Sequence, residues 1–287
     1  MTSRSLTVLR TGPLALVQDL GRPGHAHLGV PPSGALDPPS LRLANRLVGN
    51  PEDAAGLEVL LGGLVVRAGA SCTVAVTGPS APVLVGGAHR DSPCHLRPGD
   101  ELAIGAPTGG LRCYLAVSGG VATPPELGSR ATDLLSGLGP APLAPGDELP
   151  LGAVTGVPVG ADVLPPVRVG DELAVPVHLG PRDDWFDDPV GRLRAGRWTV
   201  SERSNRVGVR LRGPALDRTD RHRGRELPSE GLVTGAVQVP PDGQPVVFLA
   251  DHPTTGGYPV IGVVPTDALP LLGQARPGTR LRFHPRG

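Results

Sequence analysis

The sequence predicts a mainly β protein with few short helices, on three observations. The 42 glycines and 35 prolines are spread through 287 residues between short Val- and Leu-rich runs, which is the punctuation of many strands joined by tight turns. Where a pattern is legible it has period two: in Leu111-Arg112-Cys113-Tyr114-Leu115-Ala116-Val117 the odd positions form one apolar face, as in a half-buried strand. One segment carries a helical period, with Leu41, Ala44, Leu47 and Val48 on one side.

That helix has its own start and stop. Asp37 is placed to cap it, Pro38 suits the first turn, and Gly49 suits its end. The remaining runs, 82–85, 236–239, 246–250 and 260–264, are apolar and bounded by Gly, Pro or Asp, so they read as strands of a barrel or sandwich. With roughly 150 residues per domain as a prior, the chain divides into a first β unit, 1–150, and a second, 167–287. The Pro/Gly/Ala-rich stretch 140–166 marks the junction, with 151–166 as the connection and 147–149 available to a last strand. Two weak internal repeats support related halves. Gly29-Val30-Pro31-Pro32-Ser33-Gly34-Ala35-Leu36-Asp37 resembles Gly208-Val209-Arg210-Leu211-Arg212-Gly213-Pro214-Ala215-Leu216-Asp217, and Arg97-Pro98-Gly99-Asp100-Glu101-Leu102 resembles Arg276-Pro277-Gly278-Thr279-Arg280-Leu281. Each member of the second pair is a turn leading into a strand.

Composition excludes several functions. Aromatic residues make up 2% of the chain, so the core is expected to be Leu, Val and Ala, and a stacking platform for single-stranded nucleic acid is missing. Net charge is zero, which removes the electrostatic case for nucleic acid or an anionic membrane. There is no lysine; all 27 basic residues are arginine. A Gly-Lys-Ser/Thr phosphate loop, a pyridoxal Schiff base and a biotinyl lysine are therefore excluded from this chain. Cys72, Cys94 and Cys113 are too few and too widely spaced for a disulfide framework or a Cys-x-x-Cys metal site. His25 and His27 have no third ligand in the sequence, and no metal is assigned. His252 beside Asp251 lacks a Gly-x-Ser-x-Gly elbow, so no nucleophilic triad is assigned either. Without an apolar leader, or a run near the ~18 apolar residues of a membrane span, the chain reads as a cytoplasmic protein whose partners are small molecules or proteins.

Four polar constellations stand out. In Val17-Gln18-Asp19-Leu20-Gly21-Arg22-Pro23-Gly24 a strand ends in an acid and an arginine among glycines; the pair either faces a cleft or braces its own turn. Asn45 lies at the border of the helix's apolar stripe, and Glu58 interrupts an apolar run, so each must find buried partners or line a cavity. In Arg203-Ser204-Asn205-Arg206-Val207-Gly208-Val209-Arg210-Leu211-Arg212, alternation sends Val207, Val209 and Leu211 to the core and Arg206, Arg210 and Arg212 to the other face. Such forks suit a carboxylate or phosphate; a solvated charged face is the alternative. The fourth comprises Ser229-Glu230-Gly231, Gln238-Val239-Pro240 and Asp251-His252-Pro253-Thr254-Thr255-Gly256-Gly257-Tyr258-Pro259. There Asp251 is expected to emerge from strand 246–250 into a cleft, followed by Thr254, Thr255 and Tyr258 on a loop fixed by the strand.

At these positions, and at Ser33 to Asp37, Ala44 to Asn50 and Leu57-Glu58, the chain resembles the family variously called allophanate hydrolase subunit 2, kinase-inhibitor antagonist or C-type 5-oxoprolinase subunits. The matches run in family order over nearly the whole chain, with His252-Pro253 as a departure. The resemblance implies two cyclophilin-like β-barrel subdomains. It also implies a subunit of an ATP-dependent amide hydrolase that opens 5-oxo-L-proline to L-glutamate with A-type and B-type subunits, ATP being a co-substrate and this chain inactive alone. Related domains accept a carboxyl group from biotin in urea carboxylase, and a regulator binding a kinase-inhibitor-like partner is a third implication. On the favoured reading Asp251 and Glu230 are acid–base candidates. Asp19, Arg22, Asn45, Glu58, Arg203, Asn205, Arg206, Gln238, Thr254, Thr255 and Tyr258 are then the substrate-binding set, with Arg203 or Arg206 on a carboxylate or phosphate.

Overall fold

The computed structural model describes residues 4–159 and 166–286. The chain divides into two units, Met1–Arg22 with Ser33–Arg168, and Pro23–Pro32 with Val169–Gly287. Of the expected connection 151–166, residues 160–165 lie outside the described residues. Residues just before them are held within the first unit: Leu151 N–H donates to Arg4 O at 2.9 Å, and Val159 N–H to Leu47 O at 3.0 Å.

The first unit contains β1 (Ser5–Thr11), β2 (Leu14–Gln18), α1 (Pro38–Leu47), β3 (Gly56–Leu60), β4 (Leu64–Ala68), β5 (Cys72–Thr77), β6 (Val83–Val85), β7 (Ala88–His89), β8 (Cys94–Leu96), β9 (Glu101–Ile104), β10 (Arg112–Val117) and β11 (Glu148–Pro150). They form a six-stranded sheet, β11-β1-β4-β9-β6-β7, and a five-stranded sheet, β2-β3-β10-β5-β8. Both sheets contribute to one aliphatic core that includes Leu6, Val66, Leu102, Leu57 and Leu115. Strand β10 is buried along its whole length. Its odd positions Cys113, Leu115 and Val117 enter that core, while Ala116 and Tyr114 pack with Ala44 and Leu41 of α1. The helix thus covers the face that period-two reading leaves to solvent. Asp37 caps it as expected, its carboxylate accepting from Ser40 N–H at 3.1 Å and from the Ser40 hydroxyl at 2.6 Å.

The second unit contains β12 (Glu172–Leu179), α2 (Pro189–Ala195), β13 (Trp198–Val200), β14 (Gly208–Arg212), β15 (Glu230–Gly231), β16 (Ala236–Gln238), β17 (Val246–Phe248), β18 (Thr255–Gly256), β19 (Val260–Val263), α3 (Leu269–Gly273) and β20 (Arg280–Arg286). Seven strands close a barrel in the order β12-β19-β16-β17-β14-β13-β20, and β15 pairs with β18 outside it. Closure leaves no open edge among those seven. The expectation of an aliphatic core fails here, because Trp198 and Phe283, each 1% exposed, meet edge-on with centroids 5.2 Å apart. Such a pair adds about 0.5–1.5 kcal/mol to area burial. Helices α2 and α3 were not expected from the sequence. Helix α2 opens on an Asp188-Pro189 cap but buries only Leu193, so it has no stripe to read. Among the described residues no helix is long and apolar enough to cross a membrane.

One repeat is structural and the other is not. Residues 29–37 contain no strand, whereas Gly208–Arg212 is β14. The turn pair is equivalent in detail. Gly99 and Gly278 both have φ of +89°, their N–H groups donate to Ala68 O and Val200 O, and Asp100 O and Thr279 O accept from the same two residues in return.

Candidate functional site

The first constellation braces its own turn. β2 ends at Gln18, and the Asp19 carboxylate accepts from Gly21 N–H at 2.8 Å, the Ser129 hydroxyl at 2.6 Å and Arg130 N–H at 2.6 Å. Arg22, 1% exposed, donates from Nε to Glu126 O at 3.3 Å and from Nη2 to Ala131 O. Together they clamp segment 126–131 to the end of β2. Arg22 Nη1 and Gln18 Oε1 are buried and have no hydrogen-bond partner among the described residues.

Asn45 and Glu58 are likewise absorbed by the fold. Asn45, on α1, donates to Glu52 O and Ala54 O at 3.2 and 2.7 Å and accepts from Asn50, which ties the helix end to the loop before β3. Glu58 accepts from Leu36 N–H at 3.0 Å and the Tyr114 hydroxyl at 2.8 Å, and its other oxygen lies 3.4 Å from Arg112 Nε. The Tyr114 oxygen accepts in turn from Asp37 N–H at 2.8 Å. Burial, followed by the Glu58 and Asp37 charges, holds this phenol well above its ordinary value of 10.0.

In the second unit the arginine comb holds only in part. Val209 and Leu211 are buried and Arg210 and Arg212 exposed, as alternation requires, but Arg206 is buried. It precedes β14, where Asn205 accepts from Val207 and Gly208 N–H and turns the chain. Its guanidinium forks onto Asp251, Nε to Oδ2 at 2.8 Å and Nη2 to Oδ1 at 2.9 Å, with the side chains 2% and 0% exposed. The expected emergence of Asp251 into a solvated cleft is therefore corrected. β17 ends at Phe248, and the next three residues turn inward, Asp251 N–H donating to Arg206 O at 3.2 Å. Glu230, on β15, is paired with Arg182 through both oxygens. That hydrogen bond holds its carboxyl below the ordinary 4.5, against an opposing effect of burial, so it is ionised at neutral pH and has no proton to donate. Gln238 is buried and donates to Tyr258 O at 3.1 Å. Thr255 and Tyr258 are exposed and Thr254 half-buried on the β18 loop.

Arg203 is a predicted residue that reaches an open pocket. It lines a space of 120 Å³ with Arg210, Arg212, Asp242 and Gln244. Pro240 and Asp242 also line a second space of 340 Å³, walled by Arg218, Arg223 and Arg225. The last three were missed, although Arg218-Thr219-Asp220-Arg221-His222-Arg223-Gly224-Arg225 is a visible basic run. Among the described residues no group of three His, Cys, Asp or Glu is disposed to hold a metal ion.

Fold and pockets define a mainly β protein with arginine-lined pockets on its barrel unit. Residues 28–285 match the family model for the carboxyltransferase domain, subdomain A and B, and the chain belongs to that family. It is 38% identical over 293 residues to the C-type 5-oxoprolinase subunit of Escherichia coli (strain K12), covering 97% of this chain and 90% of that one. Among solved structures it resembles TTHA0988 (TM-score 0.88, 38% identity, 98% of this chain and 56% of that chain). It also resembles the K. lactis urea amidolyase (TM-score 0.92, 30% identity, 100% of this chain and 19% of that chain).

Proposed function

We propose that this chain is the C-type subunit of an ATP-dependent 5-oxoprolinase, opening 5-oxo-L-proline to L-glutamate together with A-type and B-type subunits. The observation that carries the reading is the likeness to the E. coli C-type subunit, 38% identity over 97% of this chain and 90% of that one, against 30% identity to the urea amidolyase. A lactam is a poor electrophile; transfer of the terminal phosphoryl of ATP to its oxygen, with release of ADP, prepares the carbon for water, the ring C–N bond then breaks to leave an acyl phosphate, and a second water releases inorganic phosphate and L-glutamate. On this reading the pocket with Arg203, Arg210 and Arg212 holds a substrate carboxylate or a phosphate, and guanidinium groups offset the developing charge. Asp251 and Glu230 are each committed to an arginine, so acid–base work falls to groups supplied by a partner chain. Without lysine this chain has no Walker-type loop, which fits a protein that is inactive alone.

The urea amidolyase likeness favours one alternative, transfer of a carboxyl group from a separately carried biotin. Affinity purification of this chain co-expressed with A-type and B-type chains separates the two. Co-elution with the B-type chain is expected; elution of all three apart, or retention only by a biotin carboxylase, argues against the proposal.

A further inference from the structure

The larger pocket has features that neither the predicted site nor the family reading uses. Its wall is built on Trp185, which is 7% exposed and stacks on His222 with centroids 4.5 Å apart and planes within 9°. Thr219 Oγ1 lies 2.9 Å from His222 Nδ1. The Arg218 guanidinium sits 5.6 Å from the centre of the Trp185 ring and donates from Nη1 to Arg225 O at 2.8 Å. It is thus held in place before any ligand arrives. Its Nε is buried with no hydrogen-bond partner among the described residues. Arg223 touches Asp220 at 3.0 Å, but both side chains are exposed, at 72% and 92%, and such a pair is easily exchanged. Of the two acids lining the space, Asp217 is bonded to Arg192 at 2.9 Å, and Asp242 accepts from Gln244 N–H at 3.1 Å. Their repulsion toward an anion is reduced by these contacts.

We propose that this 340 Å³ pocket binds a phosphate-bearing small molecule through Arg218, Arg223 and Arg225. Its size lies in the range of small-ligand pockets. Planar forks match phosphate oxygens, and three of them suit a group of charge near −2, whereas a lone carboxylate is satisfied by one. The inference does not rest on the oxoprolinase reading, because binding is measured on this chain alone and without turnover.

Isothermal titration of the full chain with inorganic pyrophosphate at low salt tests it. Saturable one-to-one binding is expected, weakened at least tenfold in both Arg218→Met and Arg223→Gln, with citrate binding at least tenfold more weakly than pyrophosphate. Arg223 is exposed, so Arg223→Gln keeps the test valid even where Arg218→Met fails to fold. No saturable binding, unchanged affinity in Arg223→Gln, or equal affinity for citrate overturns the proposal.

Discussion

Arg206 and Asp251 meet through two parallel hydrogen bonds of 2.8 and 2.9 Å in a part of the barrel unit where their side chains are 2% and 0% exposed. They join the turn leading into β14 to the loop after β17, strands that are themselves paired through Val209 and Val247. Removing one partner of a buried ion pair costs about 3–5 kcal/mol. Asp251→Asn is therefore expected to lower stability by that amount. A double change to Arg206→Met and Asp251→Leu should recover much of the loss. Denaturant melts of the isolated chain measure both; an Asp251→Asn variant as stable as the parent contradicts a structural role.

Tyr114 donates to Glu58 and accepts from Asp37 N–H. Tyr114→Phe removes both bonds, one of them to the backbone N–H of Asp37 at the start of α1. A loss of about 1–3 kcal/mol is expected, read from the same melts. A neutral substitution would show that the network does not hold the helix to β10.

Burial pushes the Cys113 thiol up to about 12 and the Cys72 thiol to about 11 from an ordinary 9.0. The folded chain keeps these protons more tightly than the unfolded chain. Their contribution to stability is therefore complete below pH 9 and is lost as pH rises from there toward the folded values. The melting temperature should fall as pH is raised above 9, less steeply in Cys113→Val. At pH 8, iodoacetamide should label half-buried Cys94 first; Cys113 labelled equally fast in mass spectra would contradict its burial.

The matching turns at Gly99 and Gly278 place φ at +89°, where a Cβ is strained by roughly 1–3 kcal/mol. Gly99→Ala and Gly278→Ala should each destabilise by about that much. Unchanged melting in either variant would show that its turn accepts a Cβ without strain.

Much of the fold was legible because its signals are local. The Asp37 cap, the α1 stripe, the Pro-Gly turns and the strand runs each depend on neighbours in sequence. Partners across long separations were not legible. Asn45 and Glu58 had to be satisfied, but nothing near them in the chain points to Ala54 or Tyr114. Alternation misplaced Arg206 because β14 starts two residues later, at Gly208, and Asp251, 45 residues away, is what draws it inward. Grouping of Pro23–Pro32 with the second unit has no compositional mark. The Trp185 wall was missed because Arg218 and His222 show in the sequence only as part of a basic run, and nothing near Trp185 in the chain points to them.

The central claim is tested by ATP-coupled release of L-glutamate from 5-oxo-L-proline in a mixture of this chain with A-type and B-type subunits. Turnover is expected to require all three chains and ATP, to be absent with this chain alone, and to fall at least tenfold in Arg203→Gln when assembly and melting temperature are retained. Full turnover without this chain, or glutamate release by this chain by itself, would contradict it.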